Sequence, residues 1–298
     1  MSKMNDSIEK KVERHERRTV FALTIPSISH YTIFLIIPLI ALFIYSFCHN
    51  VPGGGIETKI SLENYKLFLG DLVYLGILLN SIKLGLVVAM LAIFVGYPFA
   101  YFMSISSERT KSLCYILVLM PLFTSVVVRT YGWMIILGRT GILNSFLIKL
   151  GLIDMPLKLM YNFTGVAIAL LEVLLPYMIL SIHSVLENID KTLELAAQSL
   201  GASKLKSFFL ITVPLSIPGI ATGFILVFSL TVAAFVTPTL IGGPGFRLIS
   251  TLIYEKALAT LNWPLGAAIS FIFLIVMMIL IMNVNRLTTS ERWVKLNE

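Results

Sequence analysis

The chain has 298 residues, of which 57% are hydrophobic and only 13% charged, with a formal net charge of +7. Soluble globular chains carry about a quarter charged residues, so this balance excludes an ordinary soluble enzyme or binding module and indicates a polytopic membrane protein. The modest positive charge does not call for nucleic acid, because Lys and Arg also gather at the inner ends of membrane spans.

At about 20 residues per span, the length accommodates about six membrane helices with their connections. Met1–Arg18 is charged and predicts a short helix on the membrane surface, with no signal peptide expected. The first span is Val20–Phe47, interrupted by Pro26 and Pro38, and Cys48–Asp71 is a polar loop. The second span is Tyr74–Met103, with Lys83 near enough to an end to snorkel. A short basic turn holds Arg109 and Lys111. The third span is Leu113–Leu137 and carries Pro121, Arg129, Tyr131 and Trp133. Gly138–Asn162 is half-polar, with an apolar stretch Ile142–Leu152 that can dip back into the membrane. The fourth span is Phe163–Val185, with Glu172 and Pro176. The fifth is Ile217–Ile241 and the sixth Trp263–Val284, followed by a basic tail.

Fourteen of the 23 Lys and Arg fall on the segments sharing a side with the N-terminus, and seven on the opposite loops. That bias puts both termini in the cytoplasm. The expected organisation is a cytoplasmic segment 1–19, a six-helix membrane domain 20–285 and a cytoplasmic tail 286–298, with no internal repeat and no separate soluble domain.

One polar stretch stands out between the fourth and fifth spans. Leu193, Ala196, Ala197 and Leu200 recur at i, i+3, i+4 and i+7, one stripe of a short amphipathic helix. Asp190 is placed to cap its start and Gly201 to stop it. Ser203 can cap a second helix with a stripe of Leu205, Phe208 and Phe209. The whole, about 188–215, is a helix–Gly–helix knuckle on the cytoplasmic side. A plain surface loop does not account for two amphipathic helices hinged at a glycine.

Familiar reaction chemistry is absent. No GxxxxGK[ST] is present, so ATP is not bound by that route. No HExxH or CxxC pair marks a metal, and Cys48 and Cys114 form no disulfide framework. His15, His30, His49 and His183 are scattered, and packing or solvent exposure accounts for them. No nucleophile sits in a strand–turn–helix frame.

What remains is charge inside the membrane. An ionised Glu172 costs at least about 2.5–3.5 kcal/mol at the bilayer centre unless it faces a partner or a wet cavity. Glu172 either pairs with Arg129 on the preceding span or lines a pathway and attracts a cationic solute; the two are compatible. Tyr131 and Trp133 either stack on a cation or belong to an interfacial aromatic belt, which Trp133 fits better. Pro121, Pro176 and Pro218 can bend spans around a cavity, although an ordinary kink explains any one of them. Gly219 and Gly223 make a small-xxx-small step suited to close helix packing.

The knuckle resembles the cytoplasmic signature loop of type I ABC importer permeases: Glu-Ala-Ala, three residues, Gly, nine residues, then Ile-x-Leu-Pro. Here Ala196-Ala197 is followed by Gln198-Ser199-Leu200 and Gly201, and nine residues later by Ile211-Thr212-Val213-Pro214. Leu195 stands where the family usually has Glu, and Val213 where it has Leu. Glu194 lies one place upstream, on a different helix face. Gly96–Tyr101, Arg129–Trp133, Gly141–Asn144, Leu150–Asp154, Leu175–Met178 and Phe235–Gly243 further resemble the spermidine/putrescine branch, in the arrangement of the first of its two permease subunits.

The resemblance implies an all-α, six-helix type I ABC importer permease fold in a bacterial inner membrane. It implies a transport subunit, not an enzyme, that binds no cofactor itself while a partner ATPase uses ATP and Mg. The implied partners are a cytoplasmic ATPase dimer, a second homologous permease subunit and an extracytoplasmic solute-binding protein, with membrane lipid around the spans. Glu194, Ala196, Ala197, Leu200, Gly201, Ile211 and Pro214 would couple to the ATPase. Glu172, with Tyr131, Trp133 and Arg129, is the candidate solute path on burial grounds. Alternatives are a permease of the same type for an opine, phosphonate or iron, or a stand-alone secondary transporter or membrane enzyme.

Overall fold

The computed structural model describes residues 24–288, apart from Pro52, Gly54, Thr58 and Lys191. The expected segment 1–19 and tail positions 289–298 lie outside the described residues.

The chain separates into two units, one comprising residues up to Lys66 together with Lys256–Phe271, the other Leu67–Glu255 with the remainder from Ile272. In the first unit, α1 (Thr24–Ser46) passes through a π turn at Thr32–Ile36. Nearly all its large apolar side chains are exposed within this chain. Two short antiparallel strands follow, β1 (His49–Val51) and β2 (Gly55–Glu57), where the sequence reading has only a polar loop. Asn64 pins the end of α1 by donating to the Ser46 and Cys48 carbonyls at 3.1 and 2.9 Å.

The second unit is built on three helices: α3 (Leu72–Ile105), α7 (Phe163–Leu186) and α10 (Ile217–Ala233). The preceding α2 (Glu63–Gly70) leads into α3, which Asp71 caps by accepting the Val73 N–H at 2.7 Å. Lipid supplies no hydrophobic drive between helices, so close backbone approach through small residues matters most. Gly219 and Gly223 do this on α10: a Cβ at Gly219 would meet the Ser181 carbonyl oxygen at 2.8 Å, and one at Gly223 the Met178 sulfur at 2.6 Å. On α3, Gly85 receives Val232 and Phe228 in the same way.

The expected third span is two helices. α4 (Glu108–Leu119) ends in a 3-10 turn, Met120–Phe123, Thr124 is extended, and α5 (Val126–Leu137) begins afresh. Pro121 lacks the N–H an uninterrupted helix needs there. The other two marked prolines behave differently. Pro176 lies inside a continuous α7, and Pro218 occupies the first turn of α10, where a missing N–H costs nothing.

α6 (Ile142–Lys149) is the apolar stretch foreseen after the third span. Its buried Asn144 holds the loop, donating to the Gly138 and Leu157 carbonyls and accepting the Leu157 N–H at 2.8 Å. α8 (Thr192–Ser199) and α9 (Lys204–Leu215) form the knuckle, and α9 meets α10 at a bend of 58°. After α10 come a π turn at Pro238–Gly242, α11 (Ile249–Tyr254) and α12 (Trp263–Thr288). Among the described residues five helical stretches are long and apolar enough to cross a membrane, or six if the bent α9–α10 pair is one span. The five are α1, α3, the α5–α6 stretch Val126–Lys149 in place of the expected Leu113–Leu137, α7 and Trp263–Val284 of α12.

Candidate functional site

In the knuckle, Asp190 Oδ1 accepts the Thr192 N–H at 2.9 Å and leads the chain into α8. That bond holds the Asp190 carboxyl below its ordinary pKa. At the far end Gly201 N–H bonds the Gln198 carbonyl and Ala202 N–H the Ala197 carbonyl, both at 3.0 Å, a Schellman closure. Gly201 takes φ +91°, a conformation that a Cβ disfavours. Ser203 then caps α9 by accepting the Lys206 N–H. The hinge is therefore set by one left-handed glycine between two capped helices.

The predicted apolar stripe of α8 is not used up inside the chain. Leu193 is 45% and Leu200 91% exposed, Ala196 is exposed, and Ala197 is half-buried. Leu195, at the position of the usual glutamate, is 61% exposed. On α9, Phe208 packs edge-on against Tyr101 at 4.8 Å, whereas its expected stripe companions Leu205 and Phe209 stay exposed. Ile211 and Pro214 are half-buried along the same helix, which runs through a π turn at Phe208–Thr212. Glu194 turns inward: its carboxylate accepts the Thr212 hydroxyl.

Arg129 and Trp133 stand four residues apart on α5, which puts them on one face, and that face meets Glu172 of α7. Trp133 Nε1 donates to Glu172 Oε2 at 3.1 Å. Arg129 Nη1 lies 3.6 Å from Glu172 Oε1, an ion pair longer than a hydrogen bond. Arg129 Nε and Nη1 are buried without a hydrogen-bond partner among the described residues. The guanidinium borders a cavity of about 330 Å³, also lined by Leu170, Tyr177, Phe235 and Thr237. The Glu172 side chain remains 34% exposed. Trp133 engages the carboxylate instead of acting only as a belt aromatic, while Tyr131 points away and is 53% exposed.

Sequence reasoning missed a third cluster. Lys111 Nζ bridges Glu108 at 3.0 Å and Glu187 at 2.9 Å, joining the start of α4 to the end of α7. Its hydrogen bonds to Glu187 and Glu108 raise the Lys111 pKa, and the Lys111 bond holds the Glu187 carboxyl below the usual range. Lys111 and Glu187 are 76 residues apart, so no local pattern signals their meeting.

With this geometry in view, comparison with known proteins is direct. The family model described as "binding-protein-dependent transport system inner membrane component" matches residues 88–289. The spermidine/putrescine transport system permease protein PotB of Escherichia coli (strain K12) is 36% identical over 245 residues, covering 82% of this chain and 89% of that protein. The protein of the same name from Haemophilus influenzae is 33% identical, covering 83% of this chain and 86% of its own. In fold, the chain is similar to one in a crystal structure of a bacterial alginate ABC transporter in complex with an alginate pentasaccharide-bound periplasmic protein. That match has a TM-score of 0.75 and 18% identity, covering 94% of this chain and 96% of that one.

Proposed function

The chain belongs to the family of binding-protein-dependent transport system inner membrane components, as a multi-pass permease subunit of an ABC importer, and we propose that its cargo is a polyamine such as spermidine or putrescine. The observation carrying this reading is the similarity to spermidine/putrescine permeases across four-fifths of the chain. Glu172 supplies the matching chemistry. A carboxylate within a span, partly exposed and held by Trp133, attracts an alkylammonium where water is scarce.

In this reading residues 20–285 are the permease domain, and the Lys and Arg bias puts both termini and the loop 188–215 in the cytoplasm. The exposed face of α8 docks in a groove of a cytoplasmic ATPase as a helix-in-groove contact. A second permease subunit completes the path, and a binding protein delivers the solute from outside. ATP and Mg act in the ATPase. Its closure draws the loops together, and the helices packed on α10 swing between inward- and outward-open states.

One observation favours a second cargo class. Arg129 lines a cavity of about 330 Å³, and its positive charge there suits a solute bearing a carboxylate or phosphonate. Uptake by the reconstituted importer, with labelled spermidine and a labelled anionic solute offered separately, decides between them. ATP-dependent spermidine accumulation supports the first reading. Accumulation of the anionic solute alone supports the second.

A further inference from the structure

We propose that Glu194 is a positioning residue that keys α8 to its own chain, and that the ATPase groove receiving α8 is correspondingly apolar and offers no cation to a carboxylate. This rests on the coupling reading above.

Glu194 is the only acidic residue of α8, and it does not point outward. Its carboxylate accepts the hydroxyl of Thr212, a residue 4% exposed on the π turn of α9. Glu194 and Gln198 lie four residues apart on the inward face. There they line a cavity of about 300 Å³ with Tyr101, Ser104, Leu186 and Thr212. The outward side presents Leu193, Ala196 and Leu200, with Leu195 at its edge, 61% exposed and also lining that cavity. A carboxylate at position 195 would stand at the rim between that cavity and the outward side; Leu195 occupies it instead.

Two consequences follow from the geometry. An uncharged, apolar helix face buries most favourably in an uncharged, apolar groove, because a desolvated cation without a partner is costly. Force applied to α8 also reaches α9 through a bond to Thr212, three residues before the bend into α10 ends α9 at Leu215. At Gly201 there is open space around a Cβ position, so no side chain packs the two helices together there. The Glu194–Thr212 bond is the cross-brace that makes the two helices move together.

The test uses the full importer reconstituted with its ATPase and binding protein. Solute moved per ATP hydrolysed and ATPase retained on the purified permease are measured for Glu194→Gln, Thr212→Val, the double variant, Thr212→Ser and Leu195→Glu. Breaking a hydrogen bond to a charged group should lower solute per ATP by roughly tenfold or more in each single loss variant. The double variant should be no worse than either single one. Thr212→Ser, which keeps the hydroxyl, should behave as wild type. ATPase retention should be unchanged by Glu194→Gln and fall for Leu195→Glu. The proposal is overturned if Glu194→Gln releases the ATPase while Thr212→Val transports normally, or if Leu195→Glu strengthens retention. Leu200→Asp separates the two levels of inference: full retention in that variant overturns the coupling reading itself.

Discussion

Trp133 Nε1 donates a 3.1 Å hydrogen bond to Glu172 Oε2, tying α5 to α7 through an acidic side chain within a membrane span. The bond fixes the carboxylate's orientation and leaves its other oxygen to Arg129, at 3.6 Å. The second oxygen is therefore held less tightly than the first.

Glu172→Gln keeps the side-chain shape and a carbonyl acceptor for Trp133 but removes the charge. Uptake of a dicationic or tricationic amine should fall by about tenfold or more, equivalent to about 1.4 kcal/mol, with the complex still assembled. Arg129→Ala leaves Glu172 without its counter-charge and should lower the amount of assembled complex. Normal uptake by Glu172→Gln together with collapse of Arg129→Ala would make the pair purely structural.

At the hinge, Gly201 has φ +91° in open space, so a substitution meets backbone strain and no clash. Gly201→Val should cost about 1–2 kcal/mol in the loop, and Gly201→Asn less, since Asn visits this region more readily. Gly201→Asp adds a charge beside the docking face and should abolish transport and ATPase coupling while membrane insertion persists. Uptake assays alongside quantification of inserted protein read all three.

Helix packing gives a sharper steric test. A Cβ at Gly219 meets the Ser181 carbonyl oxygen at 2.8 Å and Ile182 Cα at 3.1 Å, both backbone atoms that cannot rotate away. Gly219→Val should destabilise the α7–α10 contact by about 1–3 kcal/mol, measured as a lower unfolding temperature in detergent. Gly76→Ala, with nothing within 4 Å, is the matched control and should be neutral or slightly stabilising.

The bridge of Lys111 to Glu187 predicts a pH dependence with opposite limbs. Glu187 has a depressed pKa, caused first by the Lys111 hydrogen bond, so its stabilisation is present above the ordinary carboxylate pKa of 4.5 and is lost as pH falls through the lower folded value. Lys111 has a raised pKa, caused first by Glu187, so its contribution is present below 10.5 and is lost as pH rises through the higher folded value. Thermal melts from pH 3 to pH 7 should show wild type and Glu187→Gln converging towards the acid end. A constant difference across that range would contradict the account.

The sequence reading foresaw most of the span positions, the glycine stop at Gly201 and the Ser203 cap, because each leaves a local signature; the pairing of Arg129 with Glu172 was one of two alternatives, drawn from the cost of charge inside a span. Hydropathy integrates composition over a whole span, so it ran continuously through Pro121 and did not see one missing N–H break the third span into α4 and α5. Periodicity marked the α8 stripe but not its direction; only packing shows that Leu193 and Leu200 face outward while Glu194 turns to Thr212. The hairpin at His49–Glu57 is too short for alternation to register. Trp133's bond to Glu172 joins residues 39 apart and has no local trace.

The central claim is that this permease carries polyamines on ATP energy supplied through α8. The most direct measurement is uptake of labelled spermidine into proteoliposomes holding the permease pair, ATPase and binding protein, with wild type compared against Leu200→Asp. The account predicts ATP-dependent accumulation by wild type and none by Leu200→Asp despite normal insertion. Equal accumulation by both, or accumulation by wild type without ATP, would contradict it.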